Sequence, residues 1–121
     1  MTSKVPAKNV RLKRAYEPPE PADGTRILVD RLWPRGVSKA DAAIDQWLRD
    51  LAPSAELRIW FSHDPARFAE FERRYIAELR SQRAAVTQLR ALARKGVLTL
   101  VYAARDEEHN DAVVLRKVLL R

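Results

Sequence analysis

The chain has 121 residues, 46% of them hydrophobic and 32% charged, and its 23 Lys+Arg against 16 Asp+Glu give a formal net charge of +7. These values imply one small basic domain with enough apolar material for a core, and they exclude whole-chain disorder. The complete lack of cysteine excludes disulfides, thiolate nucleophiles and Cys-ligated zinc.

The first residues are not followed by the apolar stretch of a signal peptide, and nowhere does the chain offer the roughly 18 successive apolar residues that span a bilayer. The expectation is a cytoplasmic protein with no membrane partner. Residues 10–16 alternate polar and apolar, which predicts a strand with one wet face. A Pro-rich stretch, 17–24, reads as a loop. Arg26-Ile27-Leu28-Val29-Asp30 is a continuous aliphatic run, the pattern of a strand covered on both faces near the sheet centre. Trp33-Pro34-Arg35-Gly36 stops it. Ser38 then supplies an N-cap with Asp41 in the first turn, and Ala40, Ala43, Ile44, Trp47, Leu48 and Leu51 recur at helical spacing, predicting one amphipathic helix through all of them.

Pro53-Ser54 opens a short second helix whose apolar side is Leu57, Trp60 and Phe61, ending near Ser62. Asp64-Pro65 restarts the helical pattern, because the carboxylate accepts from free amides while proline tolerates the first helical position. Phe68, Phe71, Tyr75, Ile76 and Leu79 form the buried stripe of the third helix. The stripe loses phase at Ser81-Gln82, so a break is expected before Ala85, Val86, Leu89 and Leu92 begin another helix, with Gly96 as its stop. Residues 97–103 predict a further strand, and Asn110 caps a closing helix carrying Val113, Val114, Leu115, Val118 and Leu119. Strands separated by helices make the fold class α/β: a small open, mostly parallel sheet of about three or four strands flanked by about five helices. The Pro-rich connection is short for a helical crossover, so a mixed sheet with the first strand reversed stays open.

Ligands of open α/β sheets bind beyond the carboxyl ends of the strands. Two such ends are chemically rich here. Arg31, Arg35 and Arg105 are the candidates to hold an anion, since a guanidinium forks onto two oxygens. Trp33 and Tyr102 would wall the pocket and Asn110 would orient the ligand. The adjacent His63-Asp64 pair and Asp30 are the candidates for proton exchange, and hence for catalysis. Bland readings stand beside these: an arginine paired to Asp30 or Asp64, Trp33 as a core plug, Asp64 as a cap only. His109 lies among solvated charges and is weaker.

No metal site is expected, because the two histidines are far apart and the carboxylates form no obvious cluster. Three glycines outside any Gly-rich loop exclude the phosphate-loop and dinucleotide fingerprints, so no cofactor is called for. There is no Gly-x-Ser-x-Gly elbow. The main basic series is Arg67, Arg73, Arg74, Arg80, Arg83, Arg90, Arg94 and Lys95, which would attract a phosphate backbone. Glu70, Glu72 and Glu78 are interleaved with it, as on an ordinary solvated helix face.

Four segments carry a resemblance over about residues 10–120. They are Leu28-Val29-Asp30-Arg31-Leu32-Trp33-Pro34-Arg35-Gly36, Trp60-Phe61-Ser62-His63-Asp64-Pro65-x-Arg67, Phe71-x-x-Arg74-Tyr75, and Leu100-Val101-Tyr102-Ala103-Ala104-Arg105-Asp106-Glu107-Glu108-His109-Asn110. Together they resemble the YeaO-like branch of a bacterial family, domain of unknown function 488. The resemblance implies a single cytoplasmic α/β domain, residues 1–121, without naming a reaction. The wider family often carries cysteines and a His-Arg pair after the last strand, where this chain has Tyr102, Asn110, Asp111 and Ala112. Thiol chemistry therefore does not carry over. In the YeaO-like branch a His commonly follows the Asn, and here that residue is Asp111.

Three function readings follow. The leading one is binding of an anionic, for example phosphorylated, small molecule at the strand ends, with the question of catalysis open. The alternative is a nucleic-acid-associated or regulatory module on the Arg-rich helices. A third is a protein-interaction domain, such as a homodimer, marked by an exposed aromatic patch after Trp60-Phe61.

Overall fold

The computed structural model describes residues 4–121. The aliphatic runs of the sequence become a four-stranded sheet made of β1 (Val10–Arg14), β2 (Thr25–Leu28), β3 (Gln46–Trp47) and β4 (Leu98–Tyr102), in the order β1-β4-β2-β3. Every pairing is parallel. The central strands β4 and β2 are the most buried, as cover on both faces requires. On one face Ile27, Val29, Leu98, Leu100 and Tyr102 enter the main core; on the other, Leu28 and Val101 meet Ala15.

The first strand is not reversed: Val10 pairs with Leu98 and Arg14 with Tyr102, in parallel register. No helical crossover is needed, because β1 and β2 both border β4. The loop after β1 crosses the width of a single strand through a 3₁₀ turn, Pro21–Asp23. Gly24 closes that loop with φ of 62°, and a Cβ there would lie 2.0 Å from the Val97 carbonyl oxygen.

The long helix expected through residues 40–51 does not form. Ser38 caps it as predicted, its hydroxyl accepting from the Asp41 amide at 3.0 Å, but α1 is only the single turn Lys39–Ala42. Ala43 then takes a left-handed conformation, φ 48°, and the chain enters the edge strand β3, followed by a 3₁₀ turn at Arg49–Leu51. Sheet pairing outweighs helical periodicity here, because the outer edge of β2 would otherwise keep unpaired peptide groups. Asp45 N–H donates to the Arg26 carbonyl at 2.8 Å, Leu48 N–H to Leu28 at 3.0 Å, and the Asp45 carboxylate accepts from Arg26 N–H at 2.8 Å. The same apolar residues now serve two faces. Ile44 and Trp47 cover Leu28 and Val101, while Leu48 and Leu51 join the main core.

The remaining helices follow the local signals. Ser54 caps α2 (Ala55–Phe61), which ends in left-handed Ser62. Asp64 caps a 3₁₀ turn, Pro65–Arg67, that leads into α3 (Phe68–Leu79). A second 3₁₀ turn, Arg80–Gln82, separates α3 from α4 (Arg83–Lys95), and Asn110 caps α5 (Asp111–Leu119) through its side-chain oxygen. Gly96 ends α4 in extended backbone, φ −179°, rather than as a left-handed cap. Buried residues of α2, α3, α4 and α5 all join the core on one face of the sheet. Beyond the carboxyl ends of β2 and β4 the chain diverges, toward the sheet edge after β2 and toward the helical layer after β4. A crevice opens between them.

Candidate ligand crevice at the strand ends

The crevice is a cavity of about 680 Å³. Its apolar walls include Trp33, Pro34, Pro53, Phe61 and Phe71. Half-buried Asp30, Arg31 and Asp111 lie deeper, while Arg35, Arg58, His63 and Arg105 are exposed around the mouth.

Asp30 ties the two strand ends together. Its backbone carbonyl accepts from the Trp47 indole at 2.8 Å, and its carboxylate accepts from the Ala103 amide just past β4 at 2.9 Å. Its side chain also hydrogen-bonds that of Asp111, the first residue of α5. Asp111 keeps some solvent contact, but protein surrounds its carboxyl densely. Burial, and then the neighbouring Asp30 carboxylate, push the Asp111 carboxyl well above the usual range. The two carboxyls thus form a pair in which Asp111 holds a proton against Asp30. Beneath them, Tyr75 is fully buried and donates its hydroxyl to the Leu51 carbonyl. Burial first, then the charges of Asp111, Asp30 and Glu78, push that phenol well above its ordinary value.

The arginines are differently placed. Arg31 donates Nε–H to the Pro53 carbonyl at 3.2 Å, which anchors it over the cavity wall. Among the described residues, no carboxylate lies within 4.0 Å of the guanidinium groups of Arg31, Arg35, Arg58 or Arg105, so ion pairs to Asp30 or Asp64 do not account for them. Trp33 is both wall and plug. It lines the cavity, packs edge-on against Trp47 with ring centres 5.5 Å apart, and donates its indole N–H to the Val37 carbonyl at 2.7 Å. At the rim, Asp106 is occupied by the Glu108 and His109 amides and by the His109 ring at 2.8 Å. The Glu108 amide above all, with the His109 contacts, holds its carboxyl below the usual range.

Of the nine residues singled out in the sequence, Asp30, Arg31, Trp33, Arg35, His63, Arg105 and Asn110 line this one cavity. Asp64 and Tyr102 do not. Asp64 caps the turn at Pro65 and pairs with Arg67 at 3.7 Å, while Tyr102 is buried in the core, 3% exposed, with Asn110 as its hydrogen-bond partner. Burial pushes the Tyr102 phenol up. Sequence reasoning missed Arg58 and the role of Asp111. Arg58 lies one helical turn before Ser62 with nothing local to mark it, and Asp111 read only as a departure from a histidine. The aromatic surface after α2 that would mark a protein-interaction domain is largely covered: Phe61 is buried, and the guanidinium groups of Arg67 and Arg74 lie over Trp60, leaving Ile59 exposed. Among the described residues there is no cluster of three or more potential metal ligands, and no helix is long and apolar enough to cross a membrane.

The fold and the crevice together define a small open parallel α/β protein with a concave pocket at the carboxyl ends of its two central strands. The family model described as the inactive DUF488-N3 subclade matches residues 9–121, and the chain belongs to that family. It is 45% identical to the uncharacterized protein YeaO of Escherichia coli K12 over 107 residues, which is 88% of this chain and 93% of YeaO. It is 46% identical over 110 residues to the uncharacterized proteins Mb3100c of Mycobacterium bovis and Rv3073c of Mycobacterium tuberculosis, covering 91% of this chain and 92% of each. No solved structure matches the chain.

Proposed function

We propose that the protein binds an anionic small molecule, of which a phosphate ester is the leading type, in the crevice beyond β2 and β4. The observation that carries this reading is the convergence of Arg31, Arg35, Arg58 and Arg105 on one cavity with no carboxylate partner. Guanidinium groups left unpaired at a concave, partly apolar site are suited to a multidentate anion. The cavity volume also falls within the usual range for small-molecule sites. The family's description as inactive favours binding over turnover.

A nucleic-acid role for the α3 and α4 surface finds less support in the side-chain geometry. Arg73 and Arg74 are engaged by Glu70, and Arg90 by the Val118 carbonyl. The test is a thermal-shift and calorimetric titration with inorganic phosphate and simple phosphate esters. Ligand should raise Tm in a concentration-dependent way, and Arg35→Gln with Arg105→Gln should abolish the effect without lowering the Tm of the free protein. No shift with any phosphate compound, together with DNA binding that weakens steeply with salt and is lost on Arg73→Glu or Arg80→Glu, would establish the other reading.

A further inference from the structure

The arginines account for one end of a ligand, and the deeper part of the same cavity asks for different chemistry. Asp30 and Asp111 sit there side by side, hydrogen-bonded to one another, each also accepting a backbone amide, from Ala103 for Asp30 and from its neighbour Ala112 for Asp111. We propose that this carboxyl pair receives the hydroxyl groups of the ligand, so that the crevice selects a phosphorylated polyol, such as a sugar phosphate, over a plain phosphate ester. The inference rests on the anion reading and specifies it.

Three features favour neutral hydroxyls over other partners. A second anionic group would face Asp30 directly. An ammonium group would suit the carboxyls alone, but four arginines line the same cavity, and the third carboxylate of the lining, Asp106, is already taken up by His109 and two amides. A hydroxyl donates a proton, which matches the acceptor lone pairs that the two carboxyls keep beyond the proton they share. Two neighbouring hydroxyls could engage both members at once. The apolar walls formed by Trp33, Pro53, Phe61 and Phe71 would meet the C–H face of such a ligand and keep water from the deeper contacts.

The experiment is a calorimetric comparison of inorganic phosphate, n-butyl phosphate, ribose 5-phosphate and glucose 6-phosphate, on the unmodified chain and on an Asp30→Asn/Asp111→Asn double variant. Asparagine keeps a carbonyl oxygen for the Ala103 and Ala112 amides while removing the charge. An Asp111→Leu variant, with its fold checked by circular dichroism, removes the polar atoms altogether. At least one sugar phosphate should bind about tenfold or more tightly than n-butyl phosphate, and that advantage should fall by about tenfold in the variants while the affinity for n-butyl phosphate is kept. Equal affinity for the sugar phosphates and n-butyl phosphate, or an advantage untouched by either variant, would overturn the assignment and leave the anion site standing. Failure of all four compounds to bind would overturn the anion site itself, and this inference with it.

Discussion

Asp111 shows how one side chain couples the crevice to stability. Its folded-state carboxyl titrates well above the unfolded value, because it is enclosed and faces the Asp30 carboxylate. A group raised in this way favours folding fully below its unfolded pKa of about 3.9 and loses that contribution as pH rises through the folded value. At neutral pH the enclosed carboxyl therefore works against the fold, because the folded chain must keep on it a proton that the unfolded chain has given up. Asp111→Asn fixes the neutral state and keeps a donor for Asp30. The variant should match the parent near pH 3 and become progressively more stable than it as pH rises. By pH 8 the gain should reach about 1 kcal/mol, about 4 °C in Tm. Thermal melts across that range check it, and a difference independent of pH would show that the two carboxyls do not share a proton. Tyr75, buried beneath the pair and bonded to the Leu51 carbonyl, holds the floor in place from the helical side.

At the scale of elements, the short α1 and the edge strand β3 carry the clearest conflict between local pattern and fold. Ala43 occupies the left-handed region at φ 48° with its side chain exposed, a conformation that glycine adopts without steric cost. Ala43→Gly should therefore stabilise the protein by about 0.5 kcal/mol, the relief of strain exceeding the added freedom of the unfolded chain. Urea denaturation measures this, and a loss of stability would mean that the turn is not strained. The same region explains what was legible in the sequence. Ser54, Asp64-Pro65 and Asn110 announce their helices because capping depends on residues two or three positions away, and each cap forms as read. The 40–51 segment misleads because its apolar residues, at helical spacing, serve the two faces of a sheet edge whose partner strand lies elsewhere in the chain. The direction of β1 and the meeting of Asp30 with Asp111 were hidden for the same reason. Both depend on β4, which is distant in sequence from β1 and β2. The arginine, Trp33 and His63 positions could be read because they lie at strand ends and helix breaks, where chemistry collects in this class of fold.

Across the whole molecule, the face of the sheet away from α2, α3, α4 and α5 is held by a polar network. Lys13 of β1 reaches Asp23 at 3.2 Å, Asp23 pairs with Arg26 of β2 at 2.7 Å, Thr99 of β4 donates to the Asp23 carbonyl at 2.7 Å, and Arg26 also binds the Ala42 carbonyl. One loop residue thus joins three strands, and Arg26 extends the network to α1. Asp23 is 1% exposed although it lies near the molecular surface. Burial alone would raise its carboxyl, but the Glu20 amide, Lys13 and Arg26 outweigh that and hold it below the ordinary value. The stability it contributes is present above its unfolded pKa of about 3.9 and is lost as pH falls through the depressed folded value. Asp23→Asn leaves Arg26 buried without its carboxylate, which should cost about 3 kcal/mol near neutral pH, within the range for breaking a buried pair. Below about pH 4 the unfolded chain takes up the proton first, so the gap should begin to narrow there and close only below the depressed folded value. Urea denaturation from pH 7 down to about pH 2 follows that convergence. A gap that stays constant over this range would place the cost in packing or hydrogen-bond geometry, and the network would then hold the sheet by shape rather than by charge.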